Sequence, residues 1–202
     1  MEQASPIGLV LLAAGASTRL GQPKQQLLYK GKSLLQHALQ TIQQSAVNNV
    51  AVVLGAGASE IRNAHAFGTA HVVENPDWQE GMASSISTGL NSLLKAAPNA
   101  GGVIFMVCDQ PFVTATLLDQ LISTYSQTNK EIIACSYQET LGTPVLFRKK
   151  FFPDLLALQG QEGAKKLIKK FPEAVMAVAF PKGSIDIDTP QDYENLQKGD
   201  SE

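Results

Sequence analysis

Small residues and then cations follow the first apolar run of the chain. The run Ile7–Ala13 leads into the small residues Gly15 and Ser17, which are followed by Arg19 and Lys24. Small residues let backbone N–H groups approach phosphate oxygens closely, while arginine offers a fork of donors and lysine a compact positive charge. Such groups stabilise the negative charge that develops at the α-phosphate and on the departing pyrophosphate when a triphosphate reacts. The segment therefore predicts a loop that binds a nucleoside triphosphate.

Carboxylates stand at two other places where a strand is expected to end. Asp109 directly follows the apolar run Val103–Cys108, and Asp186 and Asp188 alternate with isoleucines in Ile185–Asp188. In an extended chain both of these last carboxylates point to one face and both isoleucines to the other. Mg²⁺ prefers oxygen ligands, commonly one or two carboxylates completed by phosphates and water. The sequence thus predicts a magnesium site, at which Mn²⁺ could substitute, with Asp109 as the first candidate ligand.

The same segments also have purely structural interpretations. The first loop could be an ordinary strand-to-loop connection with two surface cations, and Asp109 could cap a turn or a helix. Thr189–Asp192 has the pattern of a helix start, with the threonine as cap, proline at the first helical position and aspartate three residues after the cap. Ser84 or Ser85 could be the N-cap of the helical segment that follows them. The residues by themselves leave both interpretations open.

The elements that must position these residues alternate between short apolar runs and segments of helical period. Because the apolar runs are continuous, the sheet should be covered on both faces, and the alternation predicts mostly parallel strands. The predicted fold is an α/β domain with three αβα layers and a Rossmann-like sheet. Ligands bind beyond the carboxyl ends of such strands, where the loop after Ala13, Asp109 and Ile185–Ile187 are expected. Strands are predicted at Ile7–Ala13, Val50–Leu54, His71–Glu74, Val103–Cys108, Ile132–Cys135 and Val175–Ala179, and helices at Leu34–Gln44, Ser59–Ala66, Ser84–Lys95, Thr116–Ser126 and Ala164–Phe171.

Length and composition are those of one globular domain. A chain of 202 residues with 44% hydrophobic and 17% charged residues can bury a core without disulfides and is unlike disordered chains. We expect a single domain over residues 1–202, with a frayed tail at 197–202. The segment Tyr137–Thr143 is expected to form an active-site flap.

Charge and cysteine content exclude several partners. The net charge is −2 and no basic run is present, which argues against nucleic acid and against an anionic membrane as partners. The apolar run Ile7–Ala14 is too short to span a bilayer and has no basic leader before it. Cys108 and Cys135 are isolated in sequence, so we expect two buried thiols in a reducing compartment. The expected location is the cytoplasm.

The first loop also carries a family resemblance. Leu12–Lys24 matches every fixed position of L-A-A-G-x-S-x-R-x-G-x-x-K, which resembles the signature of nucleotidyltransferases with a glycosyltransferase-A-like, nucleotide-diphospho-sugar transferase fold. The resemblance implies catalytic roles for Arg19, Lys24 and Asp109, and metal binding by Asp109 and Asp188 with Asp186 in support. It implies that the nucleotide contacts Leu12, Ala13, Ala14, Gly15, Ser17, Arg19, Lys24, Ser85 and Asp109.

Further matches resemble the branch that makes molybdenum cofactor. They are Gly81–Ile86, Cys108–Pro111, Gly142–Phe147, Gly163-Ala164 and Asp186–Pro190. The Asp-Gln-Pro form is more similar to the cytidylyltransferase than to the guanylyltransferase of that branch. The resemblance implies transfer of CMP from CTP to the terminal phosphate of molybdopterin, with release of pyrophosphate and delivery of the product to a molybdoenzyme or its chaperone. GTP as donor, and a sugar phosphate or lipid precursor phosphate as acceptor, are the alternatives.

One segment departs from the pattern of that branch. Where G-D-x-G-A-R is expected, this chain has Gly160-Gln161-Glu162-Gly163-Ala164-Lys165. The carboxylate is lost and lysine replaces arginine. The departure puts in question the identity of the acceptor and any function that the resemblance would assign to residues of this segment.

Other function classes fit the sequence less well. Gly31-Lys32-Ser33 is not a Walker loop, because the glycine required five positions earlier is Gln26. An NAD(P)-dependent oxidoreductase is suggested by Gly55-Ala56-Gly57, but the third glycine of that fingerprint is replaced by Glu60, which would obstruct helix packing and repel pyrophosphate. A binding module without catalysis has no need for Arg19, Lys24, Asp109 and Asp188 together.

Overall fold

The alternating strands and helices fold into a seven-stranded sheet covered on both faces. The computed structural model describes residues 6–198. The strands are β1 (Ile7–Ala13), β2 (Leu28–Tyr29), β3 (Lys32–Ser33), β4 (Asn49–Leu54), β5 (His71–Glu74), β6 (Gly102–Val107), β7 (Ile132–Tyr137), β8 (Thr140–Arg148) and β9 (Val175–Ala179). The helices are α1 (Leu34–Gln43), α2 (Ala58–Ala64), α3 (Met82–Ala96), α4 (Ala115–Gln127), α5 (Phe152–Leu156), α6 (Ala164–Lys170) and α7 (Pro190–Lys198).

The sheet has the order β5-β4-β1-β6-β8-β7-β9. Strand β8 runs antiparallel to both of its neighbours, and the other pairings in the sheet are parallel. The short strands β2 and β3 form a separate antiparallel ribbon. After β1 the chain adds β4 and β5 on one side of it, and β6 then returns to the other side. The carboxyl ends of β1 and β6 therefore flank a topological switch point, where such sheets bind ligands.

Strand β1 lies at the centre of the two main cores. All seven of its residues are buried. Leu9 and Leu11 belong to the core under α1, α2 and α4, whereas Val10 and Leu12 belong to the core under α3, α5 and α6. Full burial of each such side chain stabilises the fold by roughly 1.5–3 kcal/mol. The three αβα layers confirm the predicted fold class.

The predicted strands and helices are all present, and no end is displaced by more than two residues. Strand β8 was not predicted. The segment Tyr137–Thr143, expected as an active-site flap, forms the tip of the β7–β8 hairpin, where Gln138 and Glu139 adopt φ values of 44° and 59°. Two-residue hairpin turns with positive φ usually carry glycine or asparagine. The Gln-Glu pair therefore gave no turn signal.

A third, smaller core ties the first loop to the C-terminal part of the chain. It contains Leu20, Leu27, Leu34, Ile187 and Leu196, together with Tyr29. The prediction that both isoleucines of Ile185–Asp188 share a face is wrong, because Ile185 is 41% exposed and Ile187 is fully buried. The segment follows a 3-10 turn, Pro181–Ser184, and crosses the end of the sheet without pairing as a strand.

The last described residues belong to a helix. Gln197 and Lys198, which were predicted to fray, form the last turn of α7, and Gln197 Nε2 donates a hydrogen bond to the Leu28 carbonyl at 2.6 Å. Residues 199–202 of the predicted tail lie outside the described residues. Between residues 6 and 198, no helix combines the length and apolar character needed to cross a bilayer.

Both cysteines are buried, as predicted. Cys108 lies next to Asp109 at the end of β6, and Cys135 lies within β7. Burial raises the pKa of each thiol to about 12, with the Asp109 charge adding to the effect at Cys108. Both side chains are therefore protonated, apolar parts of the core at neutral pH.

We predict that Ile187→Ala destabilises the protein by about 2–5 kcal/mol, because it removes a fully buried side chain from the small third core. Ile185→Ala is the matched control, since it makes the same change two residues earlier at an exposed position. The control should change stability by less than about 0.5 kcal/mol. Urea unfolding measures both values, and equal losses in the two variants would contradict the placement of this segment.

Candidate functional site

The loop after β1 holds its carbonyl groups toward the protein. Gln25 Nε2 donates hydrogen bonds to the carbonyl oxygens of Ala13 and Gly15 at 2.7 and 3.1 Å. The carbonyl of Ala14, between them, accepts from the backbone N–H of Ala56 at 3.0 Å. Within residues 6–198, the N–H groups of Gly15 and the two residues after it have no hydrogen-bond acceptor. The loop thus has a row of unused backbone donors, the arrangement that binds anions.

Ser17 turns this loop back toward Lys24. Its φ of 54° lies in the left-handed region, which costs a non-glycine residue about 1 kcal/mol or more and is most often found at functional sites. The Ser17 hydroxyl oxygen accepts a hydrogen bond from the backbone N–H of Lys24 at 3.0 Å, and the Ser17 carbonyl accepts from the N–H of Leu20. These bonds hold the two cations of the loop over the carboxyl end of the sheet.

Four of the predicted site residues meet at one point. Lys24 Nζ lies 2.7 Å from Asp109 Oδ2 and 2.6 Å from Asp188 Oδ1. Arg19 Nη2 lies 3.0 Å from the other oxygen of Asp188. The Lys24 side chain is only 14% exposed, whereas that of Arg19 is 69% exposed. The structure therefore brings together residues from three distant parts of the sequence, with Lys24 at the centre.

The charges of this cluster depend on one another. Burial disfavours the charged form of Lys24, but Asp109 and Asp188 outweigh it and raise the lysine pKa. Burial raises the pKa of Asp109 against the opposing effect of Lys24. Burial raises the pKa of Asp188 as well, but the positive charges of Lys24 and Arg19 outweigh this effect, and the net pKa is lowered. At neutral pH the lysine is cationic and Asp188 is a carboxylate.

Asp109 retains an unused oxygen. Its Oδ1 is buried and has no hydrogen-bond partner in the described part of the chain. A buried acceptor of this kind is completed by a water molecule or an ion. Within residues 6–198 no three His, Cys, Asp or Glu residues cluster as a complete metal cage. Two neighbouring carboxylates, one of which has an oxygen without a partner among the described residues, fit a hard divalent cation whose other ligands come from phosphate and water.

Asp188 is positioned by the segments on either side of it. The backbone N–H of Ile187 donates to the Asp109 carbonyl at 3.1 Å, which ties the two carboxylate-bearing segments together. Thr189 then caps α7 as predicted, because its N–H donates to Asp192 Oδ2 at 2.8 Å and its hydroxyl oxygen accepts from the Asp192 N–H at 3.2 Å. Asp186 is exposed and lines two neighbouring pockets.

The cluster borders a cleft of about 470 Å³. All nine residues predicted to contact nucleotide line it, so the structure brings that set together. Ser85 is buried there and accepts a hydrogen bond from Asn75 Nδ2 at 3.0 Å. Neither Ser84 nor Ser85 is an N-cap, because α3 begins at Met82 with Gly81 as its cap. The second metal candidate, Asp188, does not line the cleft, but it contacts Lys24, which does.

Sequence reasoning missed several residues of the cleft. Gln25 is 1% exposed, although a polar residue between two loop segments is normally expected at the surface. Trp78 and Gln161 also line the cleft, and Gln161 belongs to the segment that departs from the family pattern. That departure was the one available signal for Gln161. For Gln25 the sequence held none, since its role depends on a loop path that only the fold defines.

The objection to a dinucleotide site is partly revised by the structure. Glu60 is exposed on α2, where Ala58 and Ile61 face the core, so it does not obstruct helix packing as expected. The turn after β4 is instead joined to the first loop by the bond from Ala56 N–H to the Ala14 carbonyl. The turn after β4 lies one strand away from the switch point between β1 and β6.

Comparison with known proteins gives consistent results. The chain is 28% identical over 201 residues to the purine catabolism protein PucB of Bacillus subtilis, covering 94% of this chain and 95% of that protein. It is 28% identical over 196 residues to nicotine blue oxidoreductase of Paenarthrobacter nicotinovorans, covering 93% and 94%.

Among solved structures, Rv0371c of Mycobacterium tuberculosis superposes with a TM-score of 0.84 at 32% identity, covering 97% of this chain and all of that one. A manganese complex of the same protein superposes at 0.80 and 30% identity, covering 96% of this chain and 99% of that one. Residues 9–175 match the family described as the MobA-like NTP transferase domain. The chain therefore belongs to the family of MobA-like NTP transferase domains and is a nucleotidyltransferase.

Proposed function

We propose that this nucleotidyltransferase moves CMP from CTP to the terminal phosphate of molybdopterin and releases pyrophosphate, with Mg²⁺ as its cation and Mn²⁺ as a substitute. The observation that carries the proposal is the position of Lys24, which contacts Asp109 and Asp188 beneath a loop of unused backbone donors. This arrangement places donors for phosphates beside carboxylates for a cation. It is suited to the reaction of a triphosphate.

In the proposed reaction an oxygen of the acceptor phosphate attacks the α-phosphorus of CTP. A new phosphorus–oxygen bond forms, the bond to the β-phosphate oxygen breaks, and pyrophosphate leaves with that electron pair. The attacking phosphate is already anionic, so no protein nucleophile is required. Arg19, Lys24 and the loop N–H groups orient the triphosphate and offset its charge, and such preorganised electrostatics can supply several kcal/mol.

Asp109 and Asp188 are the residues that would hold the divalent cation. Asp109 offers its buried, unpartnered Oδ1, and Asp188 has the lowered pKa of a permanent carboxylate. A bound cation supplies charge neutralisation and alignment of phosphate oxygens. The manganese complex of Rv0371c shows that a protein of closely similar fold binds a divalent metal, which supports the proposal.

The choice of CTP and molybdopterin rests on the resemblance of the Asp109-Gln110-Pro111 motif to cytidylyltransferases of the molybdenum cofactor. In the structure, Gln110 is buried and its Nε2 donates to the Gly183 carbonyl at 2.8 Å. The glutamine thus positions the segment that leads to Asp188, and any effect on base choice is indirect. GTP as donor remains the nearest alternative, and a sugar phosphate is the alternative acceptor.

An oxidoreductase is the alternative from another class, and the name of one relative, nicotine blue oxidoreductase, suggests it. The geometry favours it less. The residues that gather at the switch point are cations, carboxylates and backbone donors, whereas the Gly55-Ala56-Gly57 turn lies one strand away and lacks the third glycine of a dinucleotide fingerprint.

The reaction is tested by measuring pyrophosphate released from CTP, and separately from GTP, with Mg²⁺ and anaerobic molybdopterin. We expect acceptor-dependent release with CTP, and a loss of at least about 100-fold in Asp109→Asn, because a charged cation ligand is removed. Thermal melting shows whether that variant is folded. Release with GTP alone would assign the guanylyl reaction, and silence with both would reject molybdopterin as the acceptor.

Lys24→Ala should slow chemistry more than it weakens nucleotide binding. The charge acts where pyrophosphate departs, so kcat should fall by about 100-fold or more, whereas the Kd for CTP should rise by less than about 10-fold. Lys32→Ala, at an exposed ribbon position, is the matched control. Equal losses in binding and in kcat would show that Lys24 only attracts the nucleotide.

Gln25→Met should weaken CTP binding by about 10-fold, because the carbonyls of Ala13 and Gly15 lose their donor and the loop can reorient. Gln26→Met makes the same change next to it and should leave binding within about 2-fold. Trp78 lines the cleft and is the only tryptophan in the sequence, so its fluorescence reports CTP binding without any acceptor. Unchanged binding in Gln25→Met would exclude this role.

A further inference from the structure

A second pocket adjoins the nucleotide cleft at Asp109. It has a volume of about 360 Å³ and lies between the tip of the β7–β8 hairpin, the start of α6 and the turn at Gly183–Ser184. Val107 and Asp109 line both this pocket and the nucleotide cleft. A molecule in the second pocket would therefore meet a nucleotide in the first one beside Asp109.

Tyr137 is held rigidly in the wall of this pocket. A methyl group on Gly142 would overlap the Tyr137 hydroxyl, and one on Gly183 would overlap the Tyr137 ring. The Tyr137 side chain therefore packs directly against the backbone of both glycines. The ring also packs edge-on against Phe180, with ring centres 6.3 Å apart. The hydroxyl is thus presented at the pocket in a fixed position.

The tip of the hairpin is shaped to reach over the pocket. Gln138 and Glu139 both have positive φ, and the pairing of β7 with β8 is shifted by a bulge between Ala134 and Cys135. Bulges re-aim the side chains beyond them and are frequent beside active sites. Here the residues beyond the bulge are Cys135–Tyr137 on one strand and Thr140–Gly142 on the other.

Lys165 supplies the positive charge of the pocket. It is the one cation among the described lining residues, which also include the carboxylates of Asp109 and Asp186. No ion-pair partner for Lys165 is present in residues 6–198. Its Cε lies 3.0 Å from where a Cβ on Gly142 would stand, so the lysine and the Tyr137 hydroxyl meet over the same glycine. Burial raises the pKa of Tyr137 against the opposing effect of its side-chain hydrogen bonds with Thr143 and Gln110, so the hydroxyl keeps its proton at neutral pH.

We propose that this pocket binds the phosphomonoester of the acceptor, with Lys165 Nζ as its counter-charge and the Tyr137 hydroxyl as a fixed hydrogen-bond donor. The inference rests on the proposed function, since that reaction requires an anionic phosphate to approach the α-phosphorus. A phosphate here is placed next to Asp109 and faces a nucleotide across it. The lysine of the departing Gly160–Lys165 segment thus contributes to selection of the acceptor.

The test compares the KM for molybdopterin with the KM for CTP. In Lys165→Met the KM for molybdopterin should rise by about 10-fold or more, the effect of losing one charge-assisted hydrogen bond, while the KM for CTP stays within about 2-fold. Lys165→Arg should restore much of the loss, and Tyr137→Phe should raise only the acceptor KM, by about 3- to 10-fold. Lys166→Met, next to it on the same helix and paired with Glu162, should change neither value.

An unchanged acceptor KM in Lys165→Met, or equal increases in both KM values, would overturn the proposal. If the wild-type protein turns over molybdopterin with neither CTP nor GTP, the proposed reaction has failed, and the pocket is tested separately. Binding of inorganic phosphate in the presence of CTP is then followed by ³¹P line broadening. Weaker phosphate binding in Lys165→Met than in Lys166→Met supports an anion site, and equal binding overturns it.

Discussion

The contact of Lys24 with two carboxylates is the interaction on which the site depends. Asp109 and Asp188 stand 85 and 164 residues after this lysine in the chain, yet both lie within 2.7 Å of its Nζ. Without a cation between them, two carboxylates this close would repel each other, and the pKa of one of them would be raised. Removing one partner from such a partly buried cluster is therefore costly, even where the intact cluster adds little net stability.

The small third core holds in place the segments that carry Lys24 and Asp188. It joins the loop after β1, the β2–β3 ribbon, Ile187 and α7, all of which would otherwise be separate surface segments. The backbone bond from Ile187 to Asp109 and the Thr189–Asp192 cap then fix Asp188 from both sides. A few buried aliphatic side chains thus set the distance between charged groups.

Much of the sheet and the clustering of the site could be predicted, because both follow from local rules. Continuous apolar runs identified β1 and β6, and the rule that ligands bind beyond the strand ends located Arg19, Lys24 and Asp109. The rest depended on tertiary context. The hairpin turn at Gln138 and Glu139 has no sequence signal, the faces of Ile185 and Ile187 are set by a 3-10 turn, and the burial of Gln25 follows from the path of a loop that it helps to hold.

The Gly160–Lys165 segment touches both pockets. The Ala83 N–H donates to the Gly160 carbonyl at 3.1 Å, so this segment is fastened to the start of α3, where the nucleotide cleft begins. Gln161 lines that cleft, and Lys165, four residues later, lines the neighbouring pocket. Any insertion, deletion or shift of the backbone here moves both walls at once. Under the proposed function, a substitution that shifts this segment therefore changes the fit of the acceptor and the fit of the nucleotide together.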